Sequence, residues 1–179
     1  MRSRADSGTA QRLASTAALL AAACVLGYLE SVIMPPLPLP GVRLGLANIA
    51  VVIALAMHGP RAAAVVSLGR VFLVALATGT LGGPALLLSL GGAVAALVAM
   101  VLLASIGPAF SVVGWSVLGS AAHVSGQLLV AAVLVSSSAP FALLPISLGL
   151  SAPLGLSVGF ASRLLISRIP DLSLSAAGR

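Results

Sequence analysis

Six polar side chains lie within or next to long apolar runs, where a charged or amide group is costly. They are Glu30, Arg43, Asn48, Arg70, His123 and Gln127. Insertion of an arginine at the middle of a membrane helix costs about 2.5–3.5 kcal/mol, so such a group needs a partner, water or a ligand. Guanidinium groups suit carboxylates and phosphates because they donate paired hydrogen bonds. These six residues are therefore the candidate ligand-binding residues.

Two of the six allow a structural interpretation that the sequence leaves open. Arg70 lies near the middle of a predicted helix, where it either pairs with Glu30 or binds an anionic group of a ligand. His123 and Gln127 are four residues apart and share a helix face. A neutral His123 bonded to a neighbouring helix is as good an interpretation as ligand binding. Because the only other histidine is His58, we expect no metal site.

The composition is that of a helical membrane protein. Hydrophobic residues make up 60% of the 179 residues and charged residues 7%, whereas a soluble domain carries about 25% charged residues. The apolar runs are continuous, which disfavours a transmembrane barrel, and backbone facing lipid must be hydrogen-bonded within helices. The sequence therefore predicts an all-α polytopic membrane protein with one domain over 1–179 and short polar tails at about 1–11 and 167–179.

Apolar runs and breaks predict six transmembrane helices. Their expected ranges are about 12–34, 44–57, 61–79, 84–105, 112–135 and 141–166. The second helix would rise only about 21 Å, less than the roughly 30 Å of the hydrocarbon core, so it is short or partly re-entrant. The four prolines within 34–43 predict a stiff connector before it. We also expect Gly91 and Gly92 to mark a close helix crossing, and Pro145 and Pro153 to kink the last helix.

Arginines predict the orientation in the membrane. Seven lie on the side of both termini, and the loops of the opposite side hold only Arg43. The seven are Arg2, Arg4, Arg12, Arg61, Arg163, Arg168 and Arg179. By the positive-inside rule, both termini are cytoplasmic and the 34–43 loop lies outside the cell membrane.

Small residues on the first helix predict a contact with another helix. Ala14, Ala18 and Ala22 follow at four-residue spacing, which lets a partner helix approach closely. In so alanine-rich a chain, chance spacing is the competing interpretation.

The sequence lacks the residues that several kinds of catalysis require. The chain has no Walker A loop, and its two aspartates, Asp6 and Asp171, lie in the tails, where they form no cluster for magnesium–diphosphate chemistry. The single Cys24 allows no internal disulfide and no cysteine-based metal site. We therefore expect no catalysis by this chain alone, no cofactor and no nucleic-acid partner, which leaves binding or transport.

The order of several short motifs resembles a known family. The motifs are Leu29-Glu30-Ser31 with Pro35-Pro36, the block from Pro40 to Ile49 (PGVRLGLANI), Arg70-Val71, and His123 with Gly126-Gln127. The chain resembles the Gx transporter family, whose members are often named heptaprenyl diphosphate synthase component I. Val124 stands where that family usually has an asparagine.

The resemblance implies two functions. The family is similar to the S components of energy-coupling-factor transporters, which have six helices, a substrate-covering loop between helices 1 and 2, and small residues on helix 1 facing the coupling subunit. It thus implies a substrate-binding subunit, which captures its ligand under loop 34–43 and is energised by separate ATPases. The family name implies the alternative, an accessory subunit of a prenyl diphosphate synthase, in which Arg43 and Arg70 suit a diphosphate. A purely structural membrane protein, with the polar groups bonded to one another, is a third hypothesis.

Overall fold

The fold is a bundle of helices. The computed structural model describes residues 2–33, 45–107 and 110–168, with side-chain surroundings from residue 8 onward. All regular structure within these ranges is helical: six α-helices and a 3₁₀ helix, Ala139–Leu143. The α-helices are α1 Arg2–Ile33, α2 Leu46–His58, α3 Pro60–Ala77, α4 Pro84–Ser105, α5 Val112–Leu134 and α6 Leu144–Arg168. The predicted all-α polytopic fold is confirmed, since five of these helices are long and apolar enough to cross a membrane.

Helix boundaries differ from the prediction mainly at the first and last helices. α1 begins at Arg2 rather than at about 12, so the polar segment before the apolar run is also helical. Hydropathy marks the part of a helix that lies in the membrane, and a helix can continue past that part into water. The last helix is preceded by a 3₁₀ turn, and Pro145 lies in the first turn of α6. The N–H groups of a helix's first turn have no partner within the helix, so Pro145 removes no hydrogen bond and produces no kink. Pro153, by contrast, lies inside the helix.

The short α2 is the centre of the bundle. It packs against α1, α3, α5 and α6, and seven of its 13 residues are buried: Ala47, Ala50, Val51, Val52, Ile53, Ala54 and Leu55. In each of the five longer helices, at most 28% of an apolar stretch of 18 residues is buried. An apolar helix surrounded by others has little contact with lipid, whereas the outer helices present most of their surface to it.

Glycines allow the close helix crossing that the sequence predicts at Gly91 and Gly92. A Cβ added to Gly92 would lie 2.7 Å from the Gln127 Cγ and 2.8 Å from the His123 imidazole. One added to Gly126 would lie 2.6 Å from the Gly91 carbonyl oxygen. Because no real side chain tolerates such distances, α4 and α5 approach at backbone contact, and the predicted crossing is confirmed.

The helices alternate in direction, so one end of the bundle collects most of the arginines. The start of α1, the turn between α2 and α3 and the end of α6 meet there. We name it the basic end, after the exposed Arg12, Arg61, Arg163 and Arg168. At this end the Ser15 hydroxyl and the His58 Nε2 share a 2.8 Å hydrogen bond, which ties α1 to the end of α2.

Candidate functional site

The start of α2 is held by a carboxylate from another helix. Glu30, near the end of α1, is 7% exposed, and its Oε1 accepts a 2.7 Å hydrogen bond from the Gly45 N–H. Gly45 is the N-cap of α2 in a left-handed conformation, with φ 72°, which glycine adopts without steric cost. Its carbonyl accepts a 2.8 Å hydrogen bond from the Asn48 N–H. The negative charge of Glu30 therefore lies at the partially positive end of α2, where it is stabilised.

Asn48 and Arg70 continue this polar cluster toward α3. The Arg70 Nη2 donates a 3.0 Å hydrogen bond to the Asn48 Oδ1, which joins the first turn of α2 to the middle of α3. Glu30 and Arg70, the two charged residues whose pairing the sequence left open, are thus connected through the first turn of α2. We name Glu30, Gly45, Asn48 and Arg70 the polar cluster.

The polar cluster lies about halfway across the bundle. Asn48 lies ten residues before His58 and Arg70 ten residues after Pro60, which is about 15 Å from the basic end at about 1.5 Å per residue. Gly45 faces α6 at Val158, whose Cγ2 would lie 3.7 Å from an added Cβ. Gly45 lies 13 residues before His58, about 20 Å from the basic end, so α2 is shorter than the roughly 30 Å thickness of a hydrocarbon core.

His123 and Gln127 lie on α5 at a similar height. Both pack on Gly92 of α4, so the predicted shared face is confirmed. Gln127 is 5% exposed, and its buried Oε1 accepts no hydrogen bond from the described part of the chain. Because α5 also packs against α2, this amide acceptor lies in a helix that adjoins the polar cluster.

The other predicted site residues, Arg43 and three alanines of α1, are not part of the polar cluster. Arg43 and the loop 34–43 lie outside the described residues. Ala14, Ala18 and Ala22 are exposed along α1, so none of them is used in packing within the described bundle. Their exposure leaves this face of α1 open to lipid or to another helix.

Sequence reasoning missed two residues of the site region. Gly45 was part of the family motif but was not assigned a role, although glycine is among the residues that occur at helix N-caps. His58 was not assigned a partner either, because its bond to Ser15 depends on helix packing that no local pattern reveals. No group of three potential metal ligands occurs among the described residues.

Positive charge exceeds negative charge in the polar cluster. Glu30 carries one negative charge, whereas Arg70 and the amino end of α2 contribute a full and a partial positive charge. Arginine side chains and the amino ends of helices are groups that often bind anions in proteins.

Comparisons with known proteins identify a family. A family model described as "Heptaprenyl diphosphate synthase component I" matches residues 19–165. The matched range runs from α1 into α6 and contains all six polar candidate residues. No curated protein and no solved structure matches the chain.

Proposed function

The chain belongs to the heptaprenyl diphosphate synthase component I family, and we propose that it is the substrate-binding membrane subunit of a small-molecule uptake transporter. The observation that carries the proposal is the start of α2 inside the bundle, about 20 Å from the basic end, where Glu30 accepts a hydrogen bond from the Gly45 N–H and Arg70 donates one to Asn48. Discontinuous helices whose amino ends lie at the bilayer midplane are a recurrent way to bind anionic substrates in transporters. Buried charged groups in such a place are otherwise costly to maintain.

The proposed ligand contacts extend beyond the polar cluster. Arg43 and loop 34–43 would cover the ligand from outside, and the buried amide of Gln127 with the His123 imidazole would contact it from α5. The termini and the basic end would be cytoplasmic, since arginine-rich loops stay on that side of the cell membrane. The chain would act without catalysing a reaction by itself.

Energy would come from separate subunits. The chain has no Walker A loop, so it would depend on ATPases joined through a coupling membrane subunit. The exposed Ala14, Ala18 and Ala22 provide a flat face on α1 for such a contact.

A ligand that stays bound during purification tests the proposal. Mass spectrometry of the purified protein should detect a small molecule, and Arg70→Gln should lose at least nine tenths of it. Arg163→Gln is the matched control, because Arg163 is exposed at the basic end and should retain the ligand. Equal ligand content in Arg70→Gln and Arg163→Gln would contradict the proposal.

The family description favours a second candidate function. In this alternative, the chain is the non-catalytic membrane component of a prenyl diphosphate synthase, and Arg70 contacts the diphosphate. If a soluble prenyl diphosphate synthase is encoded beside this chain, the addition of this subunit to it should change its rate or its product length. A neighbouring pair of coupling and ATPase genes, with no such change, would instead favour uptake.

A further inference from the structure

A buried amide oxygen on α5 and a buried hydroxyl on α6 form no hydrogen bond with the described part of the chain. They are the Oε1 of Gln127 and the Oγ of Ser147. Gln127 is 5% exposed and Ser147 is 1% exposed, so water has little access to either. Buried polar groups in native proteins are nearly always hydrogen-bonded, and hydrocarbon offers them no other partner. A ligand that supplies the missing partners would account for both groups.

Ser147 differs from two other buried serines of its helix. The hydroxyls of Ser151 and Ser162 donate hydrogen bonds of 2.9 and 2.8 Å to carbonyl groups of α6 itself. Such a bond to the preceding turn is common for a serine in a helix. The Ser147 hydroxyl forms no such bond in this structure, so its hydrogen-bonding capacity is available to a ligand.

Gln127 and Ser147 both face the interior of the bundle. Gln127 lies 11 residues after Ser116, about three turns, so the two share a face of α5. Because the Ser116 hydroxyl bonds α6 and Gln127 packs on α4, this face lies between those two helices. Ser147 in turn lies 11 residues before Val158, whose Cγ2 would lie 3.7 Å from a Cβ added to the N-cap of α2. The face of α6 that contains Ser147 is therefore the one directed toward α2.

The two groups also lie at nearly the same height. α5 and α6 are antiparallel, and a Cβ added to Gly155 would lie 2.8 Å from the Val117 Cα. Ser147 lies eight residues before Gly155 and is therefore level with residue 125 of α5. Gln127 is two residues farther along α5, a rise of about 3 Å. One group of a ligand in the interior can thus approach both side chains.

The chemistry of the two side chains defines the group that they would bind. An amide oxygen accepts hydrogen bonds, whereas a hydroxyl both donates and accepts them. A ligand hydroxyl or amide would therefore donate to Gln127 and accept from Ser147. Neither helix offers a charge at this height, since α5 contains no Asp, Glu, Lys or Arg and α6 contains only Arg163 and Arg168, at the basic end. A neutral group fits these surroundings better than an ion.

We propose that Gln127 and Ser147 form a hydrogen-bonding part of the binding site, which recognises a neutral hydroxyl or amide group of the substrate. The inference rests on the proposed function and specifies the substrate as a polar molecule that bears such a group in addition to an anionic one. A molecule composed only of an acid group and an apolar chain would leave both buried side chains without partners, which disfavours its binding.

The probe is the small molecule that co-purifies with the wild type, measured per mole of protein by mass spectrometry. Ser147→Ala and Gln127→Leu should each retain at most one tenth of the wild-type amount. Ser151→Ala is the matched control and should retain the molecule, because Ser151 is buried on the same helix but bonds its own backbone. If Gln127→Leu fails to fold, Ser147→Ala decides, since it removes a single oxygen atom. Amounts in the test variants equal to that in Ser151→Ala would overturn the inference.

Further outcomes separate this inference from the function on which it rests. Tandem mass spectrometry of the co-purified molecule should find at least one hydroxyl or amide group, and a molecule with neither would overturn the inference. If Arg70→Gln releases the molecule while Ser147→Ala and Gln127→Leu keep it, the proposed function stands and the inference fails. If Ser147→Ala and Gln127→Leu release it while Arg70→Gln keeps it, the inference stands and the proposed role of Arg70 fails.

Discussion

At the scale of single residues, Glu30 determines whether α2 can begin inside the membrane. The first amides of a helix have no partner within the helix, and in hydrocarbon no water replaces one. The 2.7 Å bond from the Gly45 N–H to Glu30 satisfies one of these groups. The carboxylate thus has a structural role that is independent of any ligand.

Glu30→Ala should therefore destabilise the protein. Loss of the acceptor leaves a buried N–H unsatisfied, at a cost of about 1–3 kcal/mol, and the melting temperature in detergent should fall. Glu30→Gln is the control, since its amide oxygen can still accept the bond, and it should melt closer to the wild type. A melting temperature of Glu30→Ala equal to that of the wild type would show that the bond contributes nothing.

His58 should make the stability of the basic end depend on pH. It is the last residue of α2, outside the five candidate spans, and burial and the positive charge of Arg12 lower its pKa. The folded state therefore binds this proton less readily than the unfolded chain, whose histidine pKa is about 6.5. Stability is complete above that pH and declines as the pH falls below it.

A pair of melting curves measures this effect. The melting temperature of the wild type should fall between pH 7.5 and pH 5. That of His58→Gln should fall less, because glutamine does not titrate and can still form a hydrogen bond with Ser15. An identical pH dependence in both proteins would exclude His58 as the titrating group.

At the scale of helices, the packing of α5 on α6 depends on glycine. A Cβ added to Gly155 would lie 2.8 Å from the Val117 Cα, and one added to Gly159 equally close to the Val113 Cα. The Ser116 hydroxyl donates a 2.8 Å hydrogen bond to the Gly155 carbonyl. Small residues at this spacing allow such backbone contact between membrane helices.

Gly155→Ala should lower the melting temperature, because the added methyl group forces α5 and α6 apart at a cost of about 1–3 kcal/mol. Gly149→Ala on the same helix is its control. A Cβ at Gly149 meets nothing within 4 Å, and alanine favours the helix by up to about 1 kcal/mol. The idea fails if the two variants melt alike.

The helices themselves could be predicted from the sequence, whereas most of their contacts could not. Apolar runs and proline breaks are local, so six helices and the shortness of α2 follow directly. The crossing at Gly91 and Gly92 also follows, because adjacent glycines in an apolar helix have few other uses. In contrast, the bond of Glu30 to Gly45 depends on how α1 and α2 align, and α1 extends to Arg2 because helix formation does not stop at the membrane surface.

At the scale of the whole molecule, the arginines predict the direction of insertion, with the basic end in the cytoplasm. Ser138, between α5 and α6, and Ser167, at the end of α6, are exposed at opposite ends of the bundle. In a Cys24→Ser background, Ser138→Cys should react with an impermeant maleimide on intact cells. Ser167→Cys should react only after the membrane is opened. The reverse pattern would mean that the basic end faces outward.

The short central helix also constrains how the protein is made. α2 has only 13 residues, fewer than the roughly 17–25 that a membrane-spanning helix needs, so the insertion machinery has no complete span to recognise there. Its first amide is satisfied by Glu30 of α1, and one tight turn joins its end to α3. During biosynthesis α2 should therefore enter the bilayer together with α3 as a hairpin, after α1 is already in place.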